Sequence, residues 1–257
     1  MKTIKEITAA FKAATKYEGW MDTFKEDERL AVQKAMTSFE KRMEKLLKIE
    51  QAHAEKLLFD DSFLPHSGAL VAGVDEAGRG PLAGPVVTAA VILPNNCMEL
   101  LGVNDSKQIS KEMRESFAER VKEHAIAYSI HFQSVEAIDT LNILEATRQS
   151  MVESVQSLSV KPDVVIADAM VLPIEQPQHS IIKGDAKSLA IAAASILAKT
   201  ARDHFMDELH EQYPQYGFNQ HAGYGTKQHL EAITQYGITP HHRKSFEPIK
   251  SLVVKGG

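Results

Sequence analysis

Four carboxylates stand where apolar, strand-like runs end. Asp75 and Glu76 close the run of residues 70–74, Asp168 follows Val164-Val165-Ile166-Ala167, and Asp185 lies in Lys183-Gly184-Asp185. Acids gathered at one sheet edge repel one another and need a counter-charge. Their hard oxygens suit Mg2+ or Mn2+ rather than zinc or copper. Two such ions, about 4 Å apart, can activate a water and stabilise the leaving oxygen of an in-line phosphoryl displacement. Each acid taken singly reads more simply as a strand-end cap or a surface residue; an acidic doublet directly after a buried strand, joined by two further strand-end acids, does not. The next segment, Gly78-Arg79-Gly80-Pro81-Leu82-Ala83-Gly84-Pro85, offers backbone that a ligand can approach closely and a guanidinium fork for phosphate. By itself that segment reads equally as a turn.

Positioning those acids requires a sheet. Residues 70–74 form a buried strand, and residues 85–93, nearly all apolar, form a second, antiparallel to the first across a tight Gly- and Pro-rich connection. Residues 125–132 alternate as a third strand, 140–158 are helical, 163–168 are a short buried strand of the parallel kind, and 179–183 are a fifth strand. Residues 188 to about 210 form a long helix whose small face, Ala190, Ala192, Ala193, Ala194 and Ser195, can lie close against a sheet. If the first and fourth strands are parallel neighbours, Asp75 and Asp168 emerge side by side and Asp185 folds over them. The class is α/β, a mixed five-stranded sheet flanked by helices, and it resembles the ribonuclease H-like fold.

Up to about residue 66 the pattern is different: no strand-like run, and many Lys, Glu, Ala, Met and Leu. Thr3-Ile4-Lys5-Glu6 has the form of a capping box, followed by Ile7, Ala10, Phe11 and Ala14 at helical spacing. Thr23-Phe24-Lys25-Glu26 repeats the device ahead of Leu30, Val32, Met36, Phe39 and Met43, which suit one long amphipathic helix or two joined ones. Asp60-Asp61-Ser62-Phe63-Leu64-Pro65-His66-Ser67-Gly68 is a breaker cluster and reads as a linker. The expected organisation is an all-helical N-terminal extension, residues 1–66, and a catalytic α/β domain, residues 67–257, with a helical C-terminal segment.

The 257 residues, 44% hydrophobic and 25% charged, are ordinary for a globular protein with a core. A single cysteine, Cys97, excludes an internal disulfide and any cysteine-built zinc site. No run approaches the ~18 apolar residues of a membrane span, and Met1-Lys2-Thr3-Ile4-Lys5-Glu6 lacks the apolar core of a signal peptide, so a cytoplasmic location is expected. The net charge of −5 argues against broad coating of a polyanion, yet an acidic site depresses the total and bound cations reverse its local sign.

Set in chain order, several motifs carry a family resemblance. They are the run from Asp75 to Val86, Asn104-Asp105-Ser106-Lys107, Ile166-Ala167-Asp168, Lys183-Gly184-Asp185-Ala186-Lys187-Ser188, Ala192-Ala193-Ala194-Ser195-Ile196-Leu197-Ala198-Lys199, His221-Ala222-Gly223-Tyr224-Gly225-Thr226 and His242-Arg243-Lys244-Ser245-Phe246. Together they resemble bacterial ribonuclease HII. The resemblance implies a metal-dependent endoribonuclease that cuts RNA joined to DNA on the 5′ side of a ribonucleotide, even a single one embedded in duplex, leaving 3′-hydroxyl and 5′-phosphate ends. A role in removing ribonucleotides from DNA and in processing RNA primers goes with it. It also implies that Asp75, Glu76, Asp168 and Asp185 hold Mg2+ or Mn2+, two ions during catalysis. Gly78, Arg79 and Gly80 would contact the ribose 2′-hydroxyl, and Tyr224 would stack near the sugar on the 3′ side.

Other residues stay open. A single 2′-hydroxyl, donor and acceptor at once, is what separates RNA from DNA, and an exposed glycine-rich backbone can pair with both functions; Tyr224 otherwise reads as a core tyrosine. Lys107 and Lys187 can hold a backbone phosphate or be solvated surface lysines. Asp203 is a further acid near the site or part of a helix salt bridge. His221, His241 and His242 match no zinc spacing and read as satisfied or surface histidines. The partners expected are an RNA–DNA hybrid and ribonucleotide-containing duplex DNA, no membrane, a monomeric state, and a replication or repair protein meeting the extension. Ribonuclease HIII, acting on runs of ribonucleotides, and a non-catalytic nucleic-acid-binding module are the rival readings.

Overall fold

Gly73 sets how the catalytic sheet is built. A Cβ placed there would lie 2.2 Å from the backbone carbon of Ala190, so only glycine lets the central strand touch the helix laid over it. That strand is β1 (Val71–Ala77), followed by β2 (Val86–Ile92), β3 (Ala127–Gln133), β4 (Val164–Asp168) and β5 (Gln178–Ile181) in the computed structural model, which describes residues 3–103, 106 and 109–255. The helices are α1 (Ile4–Ala13), α2 (Leu30–Asp61), α3 (Lys111–His124), α4 (Val135–Leu141), α5 (Ile143–Gln156), α6 (Gly184–Lys187), α7 (Leu189–Gln212), α8 (Phe218–His221), α9 (Lys227–Tyr236) and α10 (Ile249–Lys255). The chain divides into two compact units, Met1–Ala54 and Glu55–Gly257.

In the second unit the sheet order is β3-β2-β1-β4-β5. β1 pairs antiparallel with β2, Asp75 opposite Ala89, and parallel with β4, Val74 opposite Ala167. The mixed five-stranded sheet expected from the sequence is therefore present, with Asp75 and Asp168 at adjacent strand ends. Side chains alternate across a strand, so Ala89 and Val91 face α7 while Ala90 and Ile92 face Met151 and Val155 of α5. Gly73 and Asp75 share the α7 face. From Ala190 to Ser195 the helix rises about 7.5 Å and from Gly73 to Asp75 the strand advances about 7 Å, which brings Ser195 level with Asp75. The remaining helical segment closes over its own core of Leu82, Met206, Tyr216, Phe218 and Ile233.

The first unit is helical, as expected. The Thr3–Glu6 capping box forms with both reciprocal bonds, and Ile7, Phe11, Met21, Val32 and Phe39 build its core. Several boundaries differ from the sequence reading. Thr23 caps no helix: it lies in a 3-10 turn, Gly19–Phe24, where its hydroxyl donates to the Trp20 carbonyl at 2.7 Å. The single long helix begins at Leu30, after an Asp27 carboxylate that accepts from the Arg29 amide. It runs two residues into the breaker cluster because Asp60 is buried and accepts from the Ala190 amide at 2.9 Å, a tertiary bond that local propensity does not register. The helix expected over 140–158 is two, divided at Asn142, whose φ of 73° breaks the path and whose side chain caps α5. The fifth strand stops before Lys183, which adopts a left-handed φ of 55°.

Gly73→Ala tests the strand–helix contact. A methyl group driven into backbone cannot be absorbed by a rotamer change, so the variant is expected to lose about 3 kcal/mol or more, a fall in melting temperature of roughly 6–12 °C by calorimetry. A change under 2 °C would refute the contact.

Candidate active site

Three of the acids, Asp75, Glu76 and Asp168, meet at one end of the sheet. Asp75 is buried beneath the strand ends, and burial, then the neighbouring charges of Glu76 and Asp168, push its carboxyl well above the usual range. The Ser195 hydroxyl opposes that rise by hydrogen bonding to it, and Ser106 stands behind Ser195 at 3.0 Å. The left-handed turn at Lys183 then brings the Gly184 amide to 2.7 Å from Asp168 Oδ1, which sets the backbone of the next residue, Asp185, alongside that strand end. Among the described residues no three acid or histidine side chains form a ready-made metal cage. The donor set nevertheless fits a hard divalent cation: carboxylate oxygens only, one of them buried, with like charges in need of neutralisation.

The glycine-rich loop leaves β1 directly from this cluster. Arg79 pairs with Glu76 at 3.3 Å. Gly78 has a φ of 91°, and a Cβ there would strike the Arg202 guanidinium. A Cβ on Gly80 would touch the Tyr224 ring at 3.4 Å, so Tyr224, 49% exposed, stands beside the loop as an open face rather than as a core residue. The structure thus brings Gly78, Arg79, Gly80 and Tyr224 together next to the acids.

The family profile described as Ribonuclease HII matches residues 72–249, and that of the Ribonuclease HII N-terminal domain matches residues 3–64. The chain belongs to the ribonuclease HII family. It is 48% identical over 250 residues to ribonuclease HII of Halalkalibacterium halodurans, covering 96% of this chain and 95% of that one. Among solved structures, ribonuclease H2 of Pyrococcus horikoshii superposes with a TM-score of 0.64 at 30% identity, over 72% of this chain and 98% of that one. The RNase HII of Archaeoglobus fulgidus, solved in complex with PCNA, does so with 0.59 at 26% identity, over 69% and 95%. The chain is accordingly a ribonuclease H, a phosphodiester hydrolase. No described helix is long and apolar enough to cross a membrane.

The weaker candidates separate. Lys187 is exposed on α6, whereas Lys107, with Asn104 and Asp105, lies outside the described residues. Asp203 is taken up by ion pairs to Arg114 at 3.0 Å and Lys199 at 2.5 Å. Two arginines hold the ribonuclease HII loop: Arg202, which lies in none of the sequence motifs, and Arg243, which lies in the His242–Phe246 motif with no role of its own legible there. Arg202 and Arg243 are buried and bond backbone carbonyls: Arg202 those of Ala83, Pro85 and Ala222, Arg243 those of Gly78, Arg79 and Gly84. Burial lowers both, Arg202 to about 10, and Arg243, beside it, to about 9, which leaves both charged at neutral pH.

Of the histidines, His242 belongs to a relay with His229. Thr239 N–H donates to His242 Nδ1 at 2.9 Å, so the neutral ring carries its proton on Nε2 and donates to His229 Nε2 at 3.1 Å. His229 Nδ1–H is then left to donate to the Tyr224 carbonyl at 2.9 Å. His221 accepts from the Gly223 amide and donates to the Tyr216 carbonyl, while His241 is half-buried against Phe205 and Tyr213. Burial, then His229, lowers His242 to about 4. A histidine depressed in the fold contributes stability that is complete above its unfolded value near 6.5 and is lost as pH falls towards 4. The loss is expected to reach about 3 kcal/mol, and His242→Gln should flatten the pH profile of the melting temperature over that range. An unchanged profile would dissociate the relay from acid stability.

Proposed function

We propose that this ribonuclease H hydrolyses the RNA strand of RNA–DNA hybrids and cuts on the 5′ side of single ribonucleotides embedded in duplex DNA, leaving 3′-hydroxyl and 5′-phosphate ends. Its role is then removal of ribonucleotides from DNA and processing of RNA primers. The observation that carries the reading is the continuity of β1 with its loop: Asp75 and Glu76 are followed within two residues by the Gly78-Arg79-Gly80 backbone that Tyr224 flanks. Cleavage chemistry and sugar reading share one strand end.

In this reading Asp75, Glu76, Asp168 and Asp185 hold Mg2+ or Mn2+. Two divalent ions, when bound, supply a lowered pKa for the attacking water and charge stabilisation at the leaving 3′-oxygen. The backbone of residues 78–80 donates to and accepts from the 2′-hydroxyl, and the Arg79 fork meets phosphate. The Tyr224 ring offers a flat face to the neighbouring sugar. Lys187 contributes a phosphate contact from α6. The helical extension adds duplex contacts or meets a replication or repair protein.

Asp75→Asn removes a ligand and also a buried charge held among like charges. Activity in Mg2+ is expected to fall at least about 1,000-fold, the scale of losing an electrostatic stabiliser, while the melting temperature holds or rises. Wild-type turnover in the purified variant would end the metal-site reading. Tyr224→Ala is expected to slow cleavage at a single embedded ribonucleotide by about 5- to 150-fold, the worth of one stacking face, with a smaller effect on a run of ribonucleotides. Equal losses on both substrates would remove Tyr224 from substrate selection.

A further inference from the structure

Lys56 lies on the penultimate turn of α2, within the second compact unit, and is 5% exposed. Burying an ammonium costs several kcal/mol unless oxygen atoms receive it, so a lysine here answers to more than packing. Its Nζ donates to the Asp185 carbonyl at 3.0 Å and to the Val103 carbonyl at 3.3 Å. The first of these carbonyls belongs to one of the four acids of the proposed metal site. Asp185 lies in the first turn of α6, which is four residues long and entered from a strained left-handed residue. So short a helix has little stability of its own, and an external tether decides where its backbone rests. One turn beyond Lys56, Asp60 anchors α2 to the start of α7 through the Ala190 amide.

We propose that Lys56 is a positioning residue of the active site. Its ammonium fixes the Asp185 backbone, and with it the reach of the Asp185 carboxylate, and it thereby sets the affinity for a divalent cation. The inference rests on the assignment of Asp185 to the metal-binding acids. Partners that orient a metal ligand without touching the metal typically govern 10- to 100-fold in metal affinity.

The test is Mn2+ binding to the full-length, substrate-free protein, followed by electron paramagnetic resonance of free Mn2+, alongside melting temperature and kcat. Lys56→Met keeps the length of the side chain and removes its charge; it is expected to weaken Mn2+ binding about 10- to 100-fold, with Lys56→Arg recovering part of the loss. Asp60→Asn, which loosens the same end of α2, is expected to leave Mn2+ affinity near that of wild type, because its bond goes to the Ala190 amide rather than to the Asp185 backbone. Asp185→Asn tests the assignment beneath the inference. Wild-type Mn2+ affinity in Lys56→Met, with affinity lost in Asp185→Asn, would overturn the positioning role and leave the metal-site reading intact. Equal weakening in Lys56→Met and Asp60→Asn would also overturn it, by reducing Lys56 to a helix anchor. Wild-type affinity and turnover in Asp185→Asn would remove the assignment itself, and the inference with it. Should Lys56→Met not fold, Lys56→Arg carries the decision: a displaced guanidinium shifts the Mn2+ affinity if the role is positional, and unchanged affinity overturns it.

Discussion

Like charges crowded at the end of β1 are the constraint to which the neighbouring structure responds. Asp75 is buried among Glu76 and Asp168, and its carboxyl is driven upward by burial and by their charge. Ser195 gives Asp75 one hydrogen bond, the Gly184 amide gives Asp168 another, and Arg79 pairs with Glu76. Such an arrangement is costly as a stability element and sensible as a receptor for a small, hard cation. The close packing of β1 on α7 through Gly73 then reads as the compensation: dense apolar contact beneath holds in place a rim that electrostatics would push apart.

The opposite sign appears on the other side of the loop. Arg202 and Arg243 are buried against backbone carbonyls, the carboxylates being kept for the site. Carbonyl oxygens partly satisfy a guanidinium without neutralising it, so positive potential persists beneath residues 78–85. A loop meant to meet a polyanion gains from that potential, and glycines in the loop gain shape from the rigid forks that grip them. The shape of the Gly78-Arg79-Gly80 segment is therefore partly a property of arginines more than a hundred residues away.

The sequence made legible whatever depends on local pattern. Strand ends, the parallel pairing that brings Asp75 beside Asp168, and the small-residue face of α7 all follow from runs and spacing. Elements governed by distant partners were harder to read. Asn142 divides a helix by taking a left-handed φ, which composition allows without requiring. Thr23 and Glu26 have the letters of a capping box, but the chain there forms a 3-10 turn. Asp60 belongs to a breaker cluster by type and to a helix by its bond to Ala190. His229 sits in no motif, yet it links His242 to the Tyr224 carbonyl. In each case a contact between residues remote in sequence outweighed a local preference.

The course of α2 bears on how this protein can be divided. The helix is continuous from Leu30 to Asp61, while the boundary between compact units falls inside it, after Ala54. A shortened enzyme that starts at the Gly68 turn would carry every acid and every loop residue and still lack the two side chains that grip Asp185 and Ala190 from outside the sheet. Loss of function in such a fragment would say nothing about substrate contacts by the extension. The modular seam of the molecule and its chemical seam do not coincide, and a cut that respects the chemistry leaves the last turns of α2 with the catalytic half.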